Sequence, residues 1–175
     1  MVRDRKAVEA IIHGGGQQYG LRPGTENVAG AAALGRAVAL AAQDQAHEAV
    51  RLGALRDTLA ERLIAAVPDL HVNGREGERA PHVLNLSVAG ADSEALLMHL
   101  DLAGVAASSG SACTTGAVEP SHVLVAMGVP RELALGAIRF SLGRESTPAD
   151  VDRVVEVMPS VVAKVRKLAG VLGRA

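Results

Sequence analysis

Large aromatic side chains are almost absent from these 175 residues, which include one Tyr, one Phe and no Trp. A core without aromatic rings has to be assembled from Ala, Val, Leu and Ile, and it depends on close contact between small side chains. At this length, one domain or one and a half is the expectation. The chain can therefore bury a substantial core, and nothing in it demands two complete domains.

Excess charge and long apolar runs are also lacking. The formal net charge is −1, and the 18 Lys and Arg residues are scattered along the chain. This distribution gives no basic patch for nucleic acid or for an anionic membrane. No run of about eighteen apolar residues is present, and residues 1–6 carry no apolar signal region. We therefore expect a soluble protein that binds neither nucleic acid nor a membrane.

Cysteine occurs once, at Cys113. A single cysteine excludes an internal disulfide and a Cys-rich zinc site, and it points to a reducing compartment, by default the cytoplasm. Cys113 stands in the stretch SSGSACTTG, residues 108–116, whose small and hydroxylated residues favour turns and cannot build a core. On composition alone, a presented reactive thiol and an ordinary buried small side chain both stay open.

A second loop of small residues, 14–25, leads into a helix predicted to begin near Glu26. Its glycine spacing matches neither a Walker sequence nor a dinucleotide fingerprint. The Gly24-Thr25 pair offers backbone N–H groups, a hydroxyl and the positive end of a helix macrodipole, all of which suit a phosphate oxygen. The alternative is that Thr25 only caps the helix.

Apolar periodicity and turn residues predict an alternation of helices and strands over the rest of the chain. The first predicted helix covers 26–67, as one helix or two nearly collinear ones, and the second covers 93–102 with Asp92 as its cap. A third helix begins at Pro120 and is closed by Gly128. A fourth begins at 147, and Pro159 should kink or split it. The predicted strands are 70–72, 83–88, 105–107 and 138–142.

Arg139 stands in the middle of the last predicted strand. Alternation places Ile138 and Phe140 on one face of that strand and Arg139 on the other. An arginine in this position either pairs with a nearby carboxylate or binds an anionic ligand, and its planar fork suits a substrate carboxylate. The residues alone leave both roles open.

Three blocks, in this order, resemble the NifS/IscS-type cysteine desulfurases, which are pyridoxal-phosphate (PLP) enzymes. They are GGGQ with GLRPGTENV in 14–28, SSGSAC with EPSHVLVAMG in 108–128, and IRFSLG in 138–143. The resemblance implies an α/β fold and identifies the chain with the C-terminal portion only of a PLP enzyme of fold type I. Its α+β small domain would hold a mostly antiparallel sheet covered by helices and preceded by a long linking helix. The implied division has three parts. Residues 1–27 are the end of the large PLP domain with the phosphate loop, residues 28–67 are the linking helix, and residues 68–175 are the small domain.

The same resemblance implies roles for three residues. Cys113 would take sulfur from L-cysteine as a persulfide and leave L-alanine, while Arg139 would bind the substrate carboxylate. Thr25 would reach the PLP phosphate of the partner subunit in a homodimer. The persulfide would then pass to a sulfur-acceptor or iron-sulfur scaffold protein, and no metal is implied.

The lysines depart from the family pattern. Lys6, Lys164 and Lys167 are the lysines of the sequence, and none stands in a motif that matches the PLP lysine. We expect the Schiff-base lysine to lie upstream of these 175 residues, which alone would have little or no turnover. Two alternatives stay open: a sulfur-carrier or binding module that only holds persulfide on Cys113, and a Cys-His hydrolase that uses His122 or His82.

Overall fold

A computed structural model describes residues 4, 7–109 and 119–172. Backbone contacts divide the chain into two units, residues 1–45 and 46–175, and each is described by itself. The helices are α1 (Val28–Ala66), α2 (Ser93–Leu102), α3 (His122–Ala126), α4 (Arg131–Leu135) and α5 (Pro148–Leu172). The strands are β1 (Leu70–Val72), β2 (Val83–Val88), β3 (Ser108–Ser109) and β4 (Ala137–Ser141).

The first unit contains the glycine-rich loop and the beginning of α1. One turn of 3-10 helix, Gln17–Gly20, interrupts the loop. The Asn27 side chain caps α1, because the Gly30 N–H donates to Asn27 Oδ1 at 2.8 Å. Helix α1 therefore begins at Val28 rather than near Glu26, and Thr25 stays in the loop.

A four-stranded sheet organises the second unit. The strand order is β1-β2-β4-β3, and every neighbouring pair is antiparallel. The apolar residues of β2 and β4 alternate with polar ones, so one face of the sheet is fully apolar. Its buried side chains are Leu84, Leu86, Val88, Ile138 and Phe140. The expected small antiparallel sheet with covering helices is confirmed.

Three helical segments cover this apolar face and complete the main core. They are the part of α1 beyond residue 46, helix α2 and helix α5. Their fully buried side chains include Leu59, Leu63, Leu96, Leu100 and Met158. Helix α5 continues through Pro159 without the predicted split, since its apolar residues on both sides of the proline are buried in the same core. That burial outweighs the cost of about 3 kcal/mol for a proline inside a helix.

Two short helices lie on the opposite face of the sheet. Leu124 of α3 and Ala134 of α4 form a small second core with Ala137 of β4. Ala137 alternates with the buried Ile138, so α3 and α4 contact the same face that carries Arg139.

Helix α2 ends in a Schellman motif, which moves the following strand. Gly104 has φ +78°, its N–H donates to Asp101 O at 2.9 Å, and the Val105 N–H donates to Leu100 O at 2.9 Å. Val105 is thus held by the helix end. Strand pairing begins at Ser108, and the predicted strand over 105–107 is wrong by three residues.

Helix α3 ends in the same way but begins later than predicted. Gly128 has φ +78°, and the Val129 N–H donates to Leu124 O at 3.0 Å, as the glycine predicted. Ser121 occupies the N-cap position, so Pro120 lies outside the helix and is not its first residue.

The backbone passes very close to Gly136, just before β4. A Cβ there would collide with Val88 O and lie 2.7 Å from Ala91 O. We expect Gly136→Ala to lower the free energy of unfolding by about 1–3 kcal/mol, because the backbone must shift to admit a methyl group. Urea unfolding followed by circular dichroism measures the change. Gly143→Ala, where nothing lies within 4 Å, is the matched control and should be neutral. Equal effects of the two substitutions would contradict this prediction.

The start of α5 is sensitive to acid through Asp150. The N–H and the hydroxyl of Thr147 donate to Asp150 Oδ2 at 2.7 and 2.8 Å, and these bonds hold the pKa of Asp150 below its usual value. A carboxyl whose pKa is lower in the folded chain than in the unfolded chain stabilises the folded state at pH values above its unfolded pKa. This contribution is lost as the pH falls below about 4. We expect Asp150→Asn to be less stable than the wild type at pH 7, with a smaller difference at pH 3. A constant difference across that range of unfolding measurements would contradict this.

Candidate active site

Arg139 faces away from the main core. In β4 it lies between the buried Ile138 and Phe140, and its side chain is exposed. Its cross-strand partners are Asn85 of β2 on one side and Ser108 of β3 on the other. The guanidinium thus stands in the middle of a polar row that crosses three strands.

An amide network continues this row toward β1. Asn73, which follows β1, donates from Nδ2 to Asn85 Oδ1 at 2.6 Å and to Ser87 Oγ at 2.9 Å. The Asn73 backbone N–H also donates to Asn85 O at 3.0 Å. Ser87 is fully buried although polar, and this bond satisfies its hydroxyl.

A cavity of about 200 Å³ lies between this polar face and α3. One side is polar and includes Arg139, and the other is apolar. The cavity is lined by Asn73, Asn85, Ser121, Val123, Leu124, Met127 and Arg139. Among the described residues, no carboxylate lines it. The cavity therefore presents one cation and several neutral polar groups beside an apolar wall.

Five other arginines of the second unit are held in ion pairs, whereas Arg139, like Arg75, Arg131 and Arg166, has no ion pair among the described residues. Arg51, Arg56, Arg62, Arg79 and Arg153 each pair with an Asp or Glu. Of the two roles that the sequence left open for Arg139, this arrangement favours an anionic ligand over a structural ion pair.

Arg51 is an example of the structural role. Its guanidinium donates to the backbone oxygens of Gly143, Arg144 and Ser146 at 2.7–3.2 Å. The same group bonds both carboxylate oxygens of Glu48 and lowers the pKa of Glu48. These contacts tie α1 to the loop that follows β4, and Arg144 lies exposed in that loop.

Cys113 lies outside the described residues, within 110–118. The described residues on either side of that segment both reach the polar face. Ser109 ends β3 next to β4, with Ser108 directly opposite Arg139. On the other side, Ser121 is buried and lines the cavity that contains Arg139.

Thr25 lies in the first unit, and its surroundings fit a phosphate group. It is exposed, and α1 is capped by Asn27, so capping does not occupy the Thr25 hydroxyl. Arg22 turns toward the loop itself, at 3.4 Å from Gly24 O and 3.5 Å from Thr25 O. A threonine hydroxyl that makes no hydrogen bond to the described residues, one turn before a helix N-terminus, is chemically suited to a phosphate oxygen.

The histidines considered as catalytic bases are exposed. His82 precedes β2, and His122 is the first residue of α3. The ring of His122 has no orienting carboxylate among the described residues, which a Cys-His dyad normally requires. Within residues 7–109 and 119–172, no cluster of His, Cys, Asp or Glu is arranged to hold a metal ion. In the same ranges, no helix combines the length and apolar character needed to cross a membrane.

Sequence reasoning missed Asn73, Asn85 and Ser121. Asn85 and Ser87 alternate with apolar residues in VLNLSV, and this pattern predicts a polar strand face. The pattern does not tell which strand lies alongside, so the pairing of Asn85 with Arg139 had no signal in the sequence. Ser121 had none either, since it reaches the cavity through the way α3 lies on the sheet.

Comparison with known proteins places this chain in a family. The family described as Aminotransferase class-V matches residues 5–154. A cysteine desulfurase of Gluconacetobacter diazotrophicus is 47% identical over 168 residues, which are 96% of this chain and 42% of that protein. Cysteine desulfurase IscS of Dictyoglomus turgidum is 40% identical over 168 residues, which are 96% of this chain and 43% of that protein. The chain thus spans less than half the length of these relatives.

Solved structures agree with the sequence comparison. A NifS-like protein from Rickettsia africae superposes with a TM-score of 0.76 at 30% identity, covering 89% of this chain and 40% of that one. A second NifS-like protein superposes with a TM-score of 0.77 at 31% identity, covering 91% and 41%. The fold and the family match extend over most of the chain, which belongs to the aminotransferase class-V family.

Proposed function

We propose that this chain takes part in the cysteine desulfurase reaction, in which sulfur is removed from L-cysteine to give L-alanine and is held as a persulfide on Cys113. The observation that carries the proposal is the position of Arg139 between the two flanks of residues 110–118. Ser108 pairs with Arg139, and Ser121 lines the same cavity. The desulfurase names of relatives at 47% and 40% identity add support.

Cys113 acts as the nucleophile. Its thiolate attacks the sulfur of the substrate cysteine, and a sulfur–sulfur bond forms as the substrate's carbon–sulfur bond breaks. The proton of the substrate thiol ends on the carbon that lost sulfur, which gives alanine and leaves a persulfide anion on Cys113. The abundance of Ser, Gly and Thr around Cys113 suits a thiol that must face the substrate and later an acceptor protein.

Arg139 holds the substrate carboxylate. Its guanidinium can bind both oxygens in a planar, two-bonded arrangement. Its exposed position in the middle of β4 and its lack of an ion-pair partner among the described residues support this role.

PLP, when bound, supplies the electron sink for the pair released at the substrate's carbon skeleton. Thr25 holds its phosphate, across the interface of a homodimer. The persulfide then passes to a sulfur-acceptor or iron-sulfur scaffold protein, and the cytoplasm is the reducing compartment that keeps Cys113 a thiol. The exposed Thr25 hydroxyl supports the phosphate contact.

Replacing Cys113 tests the nucleophile. We expect Cys113→Ser to abolish persulfide formation when the protein is supplied with a polysulfide, which donates sulfane sulfur, or with L-cysteine and the complete enzyme, because a serine hydroxyl cannot form a sulfur–sulfur bond. Intact mass spectrometry, with and without a reductant, measures the added sulfur atom. Persulfide loading that survives in the variant would contradict the proposal. Ester cleavage that depends on Cys113, without any persulfide, would favour a hydrolase instead.

The lysine pattern generates a second test. Lys164 and Lys167 are exposed on α5, and no lysine of the sequence stands in a cofactor motif. We expect the 175 residues with added PLP to convert little or no cysteine to alanine, and a desulfurase segment that carries the Schiff-base lysine to restore turnover in trans. Alanine release measured by chromatography decides this, with Cys113→Ser plus the same segment as the control. Turnover without that segment would refute the expectation, and persulfide loading without turnover in its presence would favour a sulfur carrier.

A further inference from the structure

We propose that Asn85 is a second binding residue for the substrate carboxylate, acting beside Arg139 and oriented by Asn73. The inference deepens the proposed desulfurase function and rests on it. It concerns the cavity of about 200 Å³ between the polar face of the sheet and α3.

The first step is the register of the strands. Asn85 of β2 is directly opposite Arg139 of β4, and both line the cavity. Directly opposed residues of an antiparallel pair have their Cβ atoms about 4.5–5.5 Å apart. The amide and the guanidinium therefore rise side by side from the same face of the sheet and can reach one small ligand together.

The second step is the orientation of the Asn85 amide. Its Oδ1 accepts from Asn73 Nδ2 at 2.6 Å, so the acceptor end is held on the side of β1. The NH₂ end has two protons to donate, and no acceptor for them is present among the described residues. Asn73 itself is fixed by its bond to Ser87 Oγ and by its backbone bond to Asn85. The network thus leaves the NH₂ donors of Asn85, rather than its oxygen acceptor, available to a ligand in the cavity.

The third step is the chemistry of the ligand. A guanidinium and a neutral amide N–H together offer one positive charge and additional donors, which is the complement of a carboxylate. The facing wall of Val123, Leu124 and Met127 is apolar. A cavity of about 200 Å³ is smaller than the 300–1,000 Å³ typical of drug-sized ligands. These features select a small carboxylate with a short, weakly polar side chain, such as a three-carbon amino acid.

A purely structural role would predict a different outcome for one substitution. If Asn85 only joined β1 to β2 through Asn73, Asn85→Asp would be harmless, because an aspartate oxygen accepts the same bond. If Asn85 binds a carboxylate, the second aspartate oxygen replaces the donor with a negative charge beside Arg139. Asn85→Asp therefore keeps the network and opposes the ligand.

The test measures binding of 3-mercaptopropionate, a cysteine analogue without an amino group, to this chain carrying Cys113→Ser, which prevents a mixed disulfide from forming by oxidation in air. NMR chemical shifts of the Asn85 side-chain amide and the Arg139 side-chain N–H report the titration. We expect both signals to move, and Asn85→Ala to weaken binding roughly tenfold, as loss of a hydrogen bond to a charged group does. Asn85→Asp should weaken it further, and Arg139→Ala should abolish it. Asn73→Ala should shift the Asn85 amide signal without ligand and weaken binding less than Asn85→Ala.

Ser141→Ala is the matched control, because Ser141 lies on the same face of β4 as Arg139 and does not line the cavity. It should change binding less than twofold, as surface substitutions away from a site do. A parallel measurement in the enzyme completed by the lysine-bearing segment should show Asn85→Ala raising KM for L-cysteine more than it lowers kcat. Wild-type affinity in Asn85→Asp, or a titration that moves Arg139 but not Asn85, would overturn the inference.

Failure of this inference is distinguishable from failure of the proposed function. Persulfide formation on Cys113 with unchanged binding in the Asn85 variants would overturn only the role of Asn85. Carboxylate binding that depends on Asn85, in a protein that never forms a persulfide, would uphold the role of the cavity and overturn the desulfurase proposal.

Discussion

The antiparallel register of β4 between β2 and β3 is the constraint on which the candidate site depends. Because side chains alternate along a strand, this register places Ile138 and Phe140 in the main core and Arg139 on the opposite face. A slip of one residue would expose the two apolar side chains and place the guanidinium in the core without a partner, which is very costly. Core burial and the position of the cation are therefore decided together, and each reinforces the other.

The residues on either side of the cysteine-bearing segment 110–118 are fixed by the fold. Helices α2 and α3 end in Schellman motifs in which Gly104 and Gly128 follow the last helical turn and fix the direction of the backbone. On one side a two-residue strand, β3, attaches the segment to β4, and on the other Ser121 is buried against the sheet. Functional groups on loops are commonly positioned by a rigid scaffold of this kind.

Arg51 and Arg139 show two different uses of an arginine in this fold. Arg51 joins α1 to the loop after β4, and its bonds to Glu48 and to three backbone oxygens engage all three guanidinium nitrogens. Arg139 differs because its neighbours in the sheet, Asn85 and Ser108, are neutral. A guanidinium that has no ion-pair partner among the described residues is not neutralised by them, which preserves its attraction for an anion.

Local chemistry in the sequence determined most of the elements: the Asp92 cap, the glycines that end α2 and α3, the start of α5 at Thr147, and the alternation that sets Arg139 apart from Ile138. Each of these depends on residues only a few positions apart. Tertiary structure alone decided why α5 continues through Pro159 and which side chains surround Arg139. Asn73, Asn85 and Ser121 are 66, 54 and 18 positions away from it in the chain. Only strand register and helix placement bring them to one cavity, because the free energy that selects those arrangements comes from burying the core rather than from the polar residues themselves.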